Sequence, residues 1–307
     1  MTQASPLILL LGMHRSGTSL LGSLLPALGV PLPGPLIAGD QHNPEGYYER
    51  HDVTALQEQM LIDLQRWWPG SQGLLPLPEG WLESDSALRV SATLRALLID
   101  ESSRQVGPWA IKDPRTSLLL PLWLELTGEL GLPVRLVLSV REPCEVVHSL
   151  LRRDQQAAGM TVQRAQALWW RHYRQVLLDG ISCPLLVVHY SHWFDPASSR
   201  QQLARLRAFS RPDRNGGGEA ELSAALTLIK PEHRHSLSAA PEPAELPERV
   251  RWLNSELLAL SASDPSIQHL ARLSSRLQPE AMASSEGSVA RFQHLRQRVK
   301  RLLNRAR

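Results

Sequence analysis

Pro6-Leu7-Ile8-Leu9-Leu10-Leu11-Gly12-Met13-His14-Arg15-Ser16-Gly17-Thr18-Ser19-Leu20-Leu21 is the stretch on which the fold turns. The continuous apolar run over 6–12, ending in glycine, has the pattern of a strand buried on both faces of a parallel sheet, where alternation with polar residues is not needed. The polar turn that follows passes into leucines at 20, 21, 24, 25 and 28. That spacing is helical, and Gly29 is a natural stop. A strand, a glycine-bearing turn and a helix in this order can cradle an anion, because turn amides and the helix N-terminus converge on it. Against the pattern G-x-x-x-x-G-K-[ST], Gly12, Gly17 and Ser19 match while Thr18 stands in the lysine position. The cation usual for β/γ-phosphates is therefore displaced, and Arg15 can supply one by a forked contact. The alternative without chemistry is a tight strand–helix connection.

The same pattern recurs along the chain. Trp109–Ile111 predicts a short strand followed by Lys-Asp-Pro-Arg and a helical stretch through Leu130. Val134–Val140 predicts a strand followed by a helix over 144–154, and Leu185–His189 a strand followed by a helix over 201–209. Strands alternating with helices predict an α/β fold in three layers, a parallel sheet with helices on both faces. Further helical stretches are expected at 51–66, 85–104, 161–179, 249–275 and 290–307. Segments 211–221 and 239–248 are rich in Pro and Gly and predict loop or linker. The resulting division is an α/β domain over 1–238, a Pro-rich linker over 239–248 and a helical C-terminal extension over 249–307.

Composition narrows the function classes. With 307 residues, 43% hydrophobic and 21% charged, the chain can bury a sizeable core, which excludes collagen-like and wholly disordered classes. The apolar run at 7–12 is far shorter than the ~20 residues of a membrane span and lacks the flanks of a signal peptide. Two cysteines, Cys144 and Cys183, without a CxxC pair, argue against a disulfide framework or a cysteine zinc site, so a cytoplasmic location is expected. The net charge of +3 belongs to the end of the chain: residues 291–307 carry seven basic side chains and no acid, and the remaining body, with 26 basic against 30 acidic residues, is −4. A nucleic-acid partner is not expected, since the body lacks the basic excess such binding needs.

A second constellation follows the strand at 134–140. Val137-Leu-Ser-Val-Arg-Glu-Pro-Cys-Glu-Val-Val-His-Ser-Leu-Leu-Arg-Arg-Asp154 places Arg141 at the strand's C-terminal end, with Ser149 and Arg153 four apart on the next helix. Residues four apart share a helix face, so all three can converge on a second phosphate in the crevice where open α/β sheets bind ligands. An ordinary amphipathic helix with solvated arginines is the alternative.

Gly12–Ser19 with the leucines after it resembles the 5′-phosphosulfate loop of sulfotransferases that use 3′-phosphoadenosine 5′-phosphosulfate. The Arg141, Ser149, Arg153 spacing resembles the 3′-phosphate site of the same family, including the tyrosylprotein type. Trp109–Arg115 resembles the family's Lys-Asp-Pro segment, and Val188-His189-Tyr190 its element with a nucleotide-contacting tyrosine. Asn43–Glu49 resembles the N-P-x-G-[YHF]-[YFW]-E segment of bacterial members. The resemblance covers about the first two-thirds of the chain and implies a P-loop NTPase-like fold. It implies that Arg15, Ser16, Gly17, Thr18 and Ser19 hold the phosphosulfate, that Arg141, Ser149, Arg153 and Tyr190 hold the rest of the nucleotide, and that Lys112 sits by the transferring group. Ile229–His235 resembles a C-terminal segment of bacterial members, with no role assigned.

Sulfuryl transfer to a hydroxyl needs a base for the acceptor proton and cations for charge on the bridging oxygen. Glu49 is the first choice of base, followed by Glu45 and His42; Lys112 and Arg15 are the catalytic cations, and no metal is required. Trp67-Trp68, Trp123 and Trp169-Trp170 could line a sugar or aromatic acceptor pocket, or serve as core. The function expected is sulfuryl transfer from 3′-phosphoadenosine 5′-phosphosulfate to a hydroxyl of a small-molecule or glycan acceptor. The alternatives are a P-loop small-molecule kinase and a catalytically inactive nucleotide-binding protein. Phe292, Leu295, Val299, Leu302 and Leu303 lie at helical spacing among the terminal arginines. They suit docking on the acidic body, a partner helix or an anionic membrane surface.

Overall fold

The computed structural model of the protein describes residues 5–41, 43–212, 218–230, 246–263 and 267–278. Most of the linker over 239–248 and all of the basic tail over 290–307 lie outside the described residues, as do His42 and residues 231–235.

Four strands, β1 (Leu7–Gly12), β2 (Trp109–Lys112), β3 (Val134–Val140) and β4 (Leu185–His189), form one parallel sheet in the order β2-β1-β3-β4. The register pairs Leu10 with Lys112, Gly12 with Ser139 and Val140 with His189, so the strand ends that carry the motifs lie side by side. All six residues of β1 are buried, as its unbroken apolar run requires of a strand covered on both faces.

The pleat sends alternate side chains into two cores. Leu7, Leu9 and Leu11 join a large cluster with residues of α2 (His51–Asp63), α3 (Asp85–Arg104), α4 (Leu120–Glu129), α5 (Pro143–Ala158) and α6 (Val162–Asp179). Ile8 and Leu10 face α1 (Thr18–Ala27), α7 (Pro196–Ser210) and α8 (Glu219–Leu226). The three-layer α/β architecture expected from the strand–helix alternation is the one observed. Each fully buried leucine is worth about 1.5–3 kcal/mol over an exposed one, so this alternation is what commits β1 to the sheet centre. Two more helices, α9 (Glu248–Ala262) and α10 (Ile267–Leu277), add Val250, Leu253, Leu257, Leu260, Leu270, Leu273 and Leu277 to the larger cluster.

From β1 the chain runs first to β2 on one side and later to β3 on the other. That reversal makes the C-terminal ends of β1 and β3 the switch point of the sheet, where the diverging connections leave a crevice.

Candidate functional site

The crevice is a cleft of about 630 Å³ built from the loop after β1, the segment 41–49, the ends of β2 and β3, the inward face of α5, and Tyr190. Among the residues lining it are Arg15, Gly17, Thr18, Ser19, Glu49, Lys112, Arg141, Ser149, Arg153 and Tyr190. Segments more than a hundred residues apart in sequence therefore meet in one place.

The loop is shaped from both sides. Ser117, in the turn after β2, grips both backbone groups of Gly12: its Oγ accepts from Gly12 N at 2.9 Å and donates to Gly12 O at 3.1 Å. Ser139 of β3 donates to Ser16 O at 2.8 Å. Gly17 has φ of 89° and a Cβ there would collide with the Tyr190 ring, so only glycine lets the loop and Tyr190 close on each other. Gly17 also gives α1 no side-chain cap, which leaves the helix's first amides open toward the cleft. Ser16 sits apart from the other loop residues. Its side chain does not line the cleft, because its Oγ donates to Met13 O at 2.6 Å and its amide to the same oxygen at 3.2 Å. Ser16 closes the loop on itself.

The arginines gather where the loop meets β3 and α5. Arg15, with φ of 68°, donates from Nε to Ser149 Oγ at 2.9 Å. Arg141 donates from Nη1 to the Arg15 carbonyl at 3.1 Å, lies 4.3 Å over the Tyr190 ring and pairs with Glu145 at 2.7 Å. Arg153 pairs with Asp154 at 2.8 Å. Burial first, then Arg153 and Arg141, push the Arg15 guanidinium below its ordinary value. Three guanidiniums held close enough to repel one another form a site that an anion relieves. Trp169 donates to the Arg141 carbonyl at 3.1 Å and Tyr173 to the Ser139 carbonyl at 3.0 Å, so α6 braces the end of β3.

Lys112 and Glu49 form the other half of the cleft. Lys112 Nζ donates to Glu49 Oε1 at 2.5 Å, to Tyr47 O at 2.9 Å and to Ser19 Oγ at 3.5 Å, with the lysine 2% and the glutamate 7% exposed. Glu49 is held in turn by its backbone and its neighbour. Its carbonyl accepts from Ile37 N at 2.8 Å, and Arg50 pairs with Asp52 at 2.7 Å and with Glu101 of α3 at 2.6 Å. Glu45, in contrast, is an exposed residue paired with Lys230 at 3.0 Å. The structure thus separates Glu49 from Glu45: one is buried against Lys112 at the end of β2, the other lies at the mouth.

The tryptophans divide. Trp123 and Trp169 are fully buried and structural, Trp123 donating to Gln57 Oε1 at 2.9 Å, so neither lines a pocket. Trp170 packs on Trp252, and Trp67 donates to Glu58 at 2.6 Å on the surface. Only Trp68 approaches the cleft, stacked on His14 with ring centroids 3.7 Å apart. His14 lines the cleft and escaped the sequence reading, since a histidine inside a loop motif carries no periodic signal. Burial first, then Arg115, Arg153, His172 and Lys112, hold its imidazole well below the ordinary histidine range and so neutral. Arg115 also went unassigned, although it ends the Lys-Asp-Pro-Arg segment: it lies 3.5 Å from Glu49 Oε2. Lys230, left without a role, lines the mouth. Among the described residues no group of three or more His, Cys, Asp or Glu is placed to hold a metal ion, and no helix is long and apolar enough to cross a membrane.

No protein-family model matches the chain, and no curated protein matches its sequence significantly. In structure it is similar to three sulfotransferase domains. The domain from the olefin synthase of Synechococcus PCC 7002 is 19% identical, with TM-score 0.47, over 87% of this chain and 98% of that one. The domain from the curacin biosynthetic pathway is 15% identical, with TM-score 0.44, over 84% and 99%. A sulfotransferase from Mycobacterium tuberculosis is 14% identical, with TM-score 0.42, over 89% and 77%.

Proposed function

We propose that the protein transfers a sulfuryl group from 3′-phosphoadenosine 5′-phosphosulfate to the hydroxyl of an acceptor. One observation carries this reading: the Arg15 side chain reaches Ser149 of α5 at 2.9 Å, and Arg141, just after β3, reaches the Arg15 carbonyl at 3.1 Å, so the two motifs adjoin in one cleft. A nucleotide with a phosphate on its 3′-hydroxyl as well as its 5′-chain is the ligand class whose charges match two such sites.

The donor supplies a sulfuryl group already activated on a phosphate leaving group. The open amides of α1, Thr18, Ser19 and Arg15 would hold the 5′-phosphosulfate, and Arg141, Ser149 and Arg153 the 3′-phosphate, with Tyr190 walling the nucleotide against Gly17. Glu49 takes the proton of the acceptor hydroxyl as that oxygen bonds to sulfur. As the bond from sulfur to the bridging oxygen breaks, Lys112 and Arg15 neutralise the electron pair left on that oxygen. Glu49 and Lys112 therefore begin paired and end apart, each turned to one side of the sulfur. A glycan hydroxyl is one acceptor class this reading admits.

The test is calorimetric titration with adenosine 3′,5′-bisphosphate beside ADP and ATP. A charged hydrogen bond is worth about 1.5–3 kcal/mol, so the bisphosphate binds more tightly than ADP by about tenfold to a hundredfold or more. Equal affinities, or a preference for ATP with magnesium, would favour the kinase alternative and sink this reading.

A further inference from the structure

Arg115 sits among three carboxylates. Its Nη1 lies 3.5 Å from Glu49 Oε2 and donates to Asp113 Oδ1 at 3.0 Å, and its Nε donates to Glu58 of α2. The outer two acids are anchored independently. Asp113, fully buried, accepts from the Arg115 amide at 2.8 Å and from Thr54 Oγ1 at 3.1 Å, and Glu58 accepts from Trp67. Glu49 thus stands between two cations of different kinds. Lys112 has a flexible stem and must leave for the bridging oxygen during the transfer proposed above. Arg115 is tied down on its far side and stays.

We infer that Arg115 is the positioning residue that keeps Glu49 in the cleft once Lys112 departs, and that Asp113 and Glu58 hold Arg115 in place for that task. The inference rests on Glu49 being the base of the proposed function. Its physical content is anchoring: with Nε on Glu58 and Nη1 on Asp113 the guanidinium is fixed from behind, and its Nη1 stays 3.5 Å from Glu49 Oε2. The charged groups facing Glu49 are Lys112 from β2 and Arg115 from the turn after it, with Asp113 from that turn and Glu58 from α2 behind Arg115. His14, from the loop after β1, feels both cations and is held neutral by burial and by them.

The hold predicts a graded series on one contact chain. Arg115→Gln removes the hold, so turnover falls by about tenfold or more, while Arg115→Lys, which keeps a cation but not the tied guanidinium, recovers part of the rate. Glu58→Gln frees one anchor of Arg115 and lowers turnover several-fold. Turnover is followed as release of adenosine 3′,5′-bisphosphate from the donor with water as the accepting hydroxyl. Affinity for adenosine 3′,5′-bisphosphate within a few-fold of the parent shows that each variant is folded and places the loss in the chemical step. If turnover depends on Glu49 while Arg115→Gln leaves it near normal, or Arg115→Lys does no better than Arg115→Gln, the inference is overturned and the base assignment stands. If Glu49→Gln turns over normally, the base assignment and the role given to Arg115 fall together.

Discussion

Lys112 Nζ and Glu49 Oε1 stand 2.5 Å apart in a pocket that leaves both side chains almost wholly buried. The pair joins the end of β2 to a segment that the sheet does not contain. A buried ion pair contributes little net stability, but losing one partner strands the other. Lys112→Met therefore destabilises the fold by about 3 kcal/mol, since Glu49 retains only the longer contact to Arg115. Adding Glu49→Gln to that variant recovers part of the loss. Denaturant unfolding of the two single variants and the double variant checks this; strictly additive losses would show that the two residues do not depend on each other.

The same pair separates two kinetic roles. Glu49→Gln lowers turnover by about 10²–10⁴, the usual worth of a general base, and leaves adenosine 3′,5′-bisphosphate affinity within a few-fold, because a carboxylate gains nothing beside phosphates. Arg15→Ala lowers both, since it removes the guanidinium that reaches Ser149 Oγ across the cleft. Glu45→Gln, at the exposed mouth, leaves turnover near normal. Abolition of activity by Glu45→Gln alone would move the base from Glu49 to Glu45.

Gly17 offers a test of the loop that needs no acceptor. Its left-handed backbone and its approach to Tyr190 both exclude a side chain. Gly17→Ala lowers bisphosphate affinity at least tenfold by pushing the loop off Tyr190. Removing the ring as well, with Tyr190→Ala, does not restore binding, because φ of 89° remains strained for alanine. Restoration by the double variant would show that the collision alone matters.

Acid stability has a specific source in His172. Burial is the largest cause pushing its imidazole down to about 3, its Nδ1 lying 2.8 Å from the Leu168 carbonyl. The folded chain thus refuses a proton that the unfolded chain accepts below about 6.5. This contribution to stability is complete above about pH 6.5 and is lost as pH falls toward the folded value, each pH unit costing about 1.4 kcal/mol. His172→Asn flattens the fall in unfolding free energy between about pH 6 and pH 4 by close to one proton. An unchanged slope would mean that His172 is protonated in the folded protein.

The sheet, and the segments that meet in the cleft at the ends of β1 and β3, were legible in the sequence. The apolar runs at 7–12 and 185–188 and the largely apolar 134–140 have the pattern of strands covered on both faces, and leucines at 20, 21, 24, 25 and 28 have the spacing of one helix face. These signals are local, because periodicity follows from backbone geometry within a few residues. The phosphate-loop pattern is local for the same reason: its glycines and hydroxyls are neighbours along the chain.

Only the tertiary structure decided which of these residues act together. That Ser16 turns inward while Ser19 faces Lys112, that Trp123 and Trp169 are core while Trp68 reaches His14, and that Glu49 is buried while Glu45 is exposed all depend on which strands adjoin and which loop crosses the crevice. Arg115 makes the point most plainly. Its three carboxylate partners come from positions 49, 58 and 113, and no periodicity relates them. Local sequence sets backbone conformation through short-range sterics and burial, whereas charge and hydrogen bonding act through space, so the chemistry of the cleft takes form only once β1, β2 and β3 lie side by side.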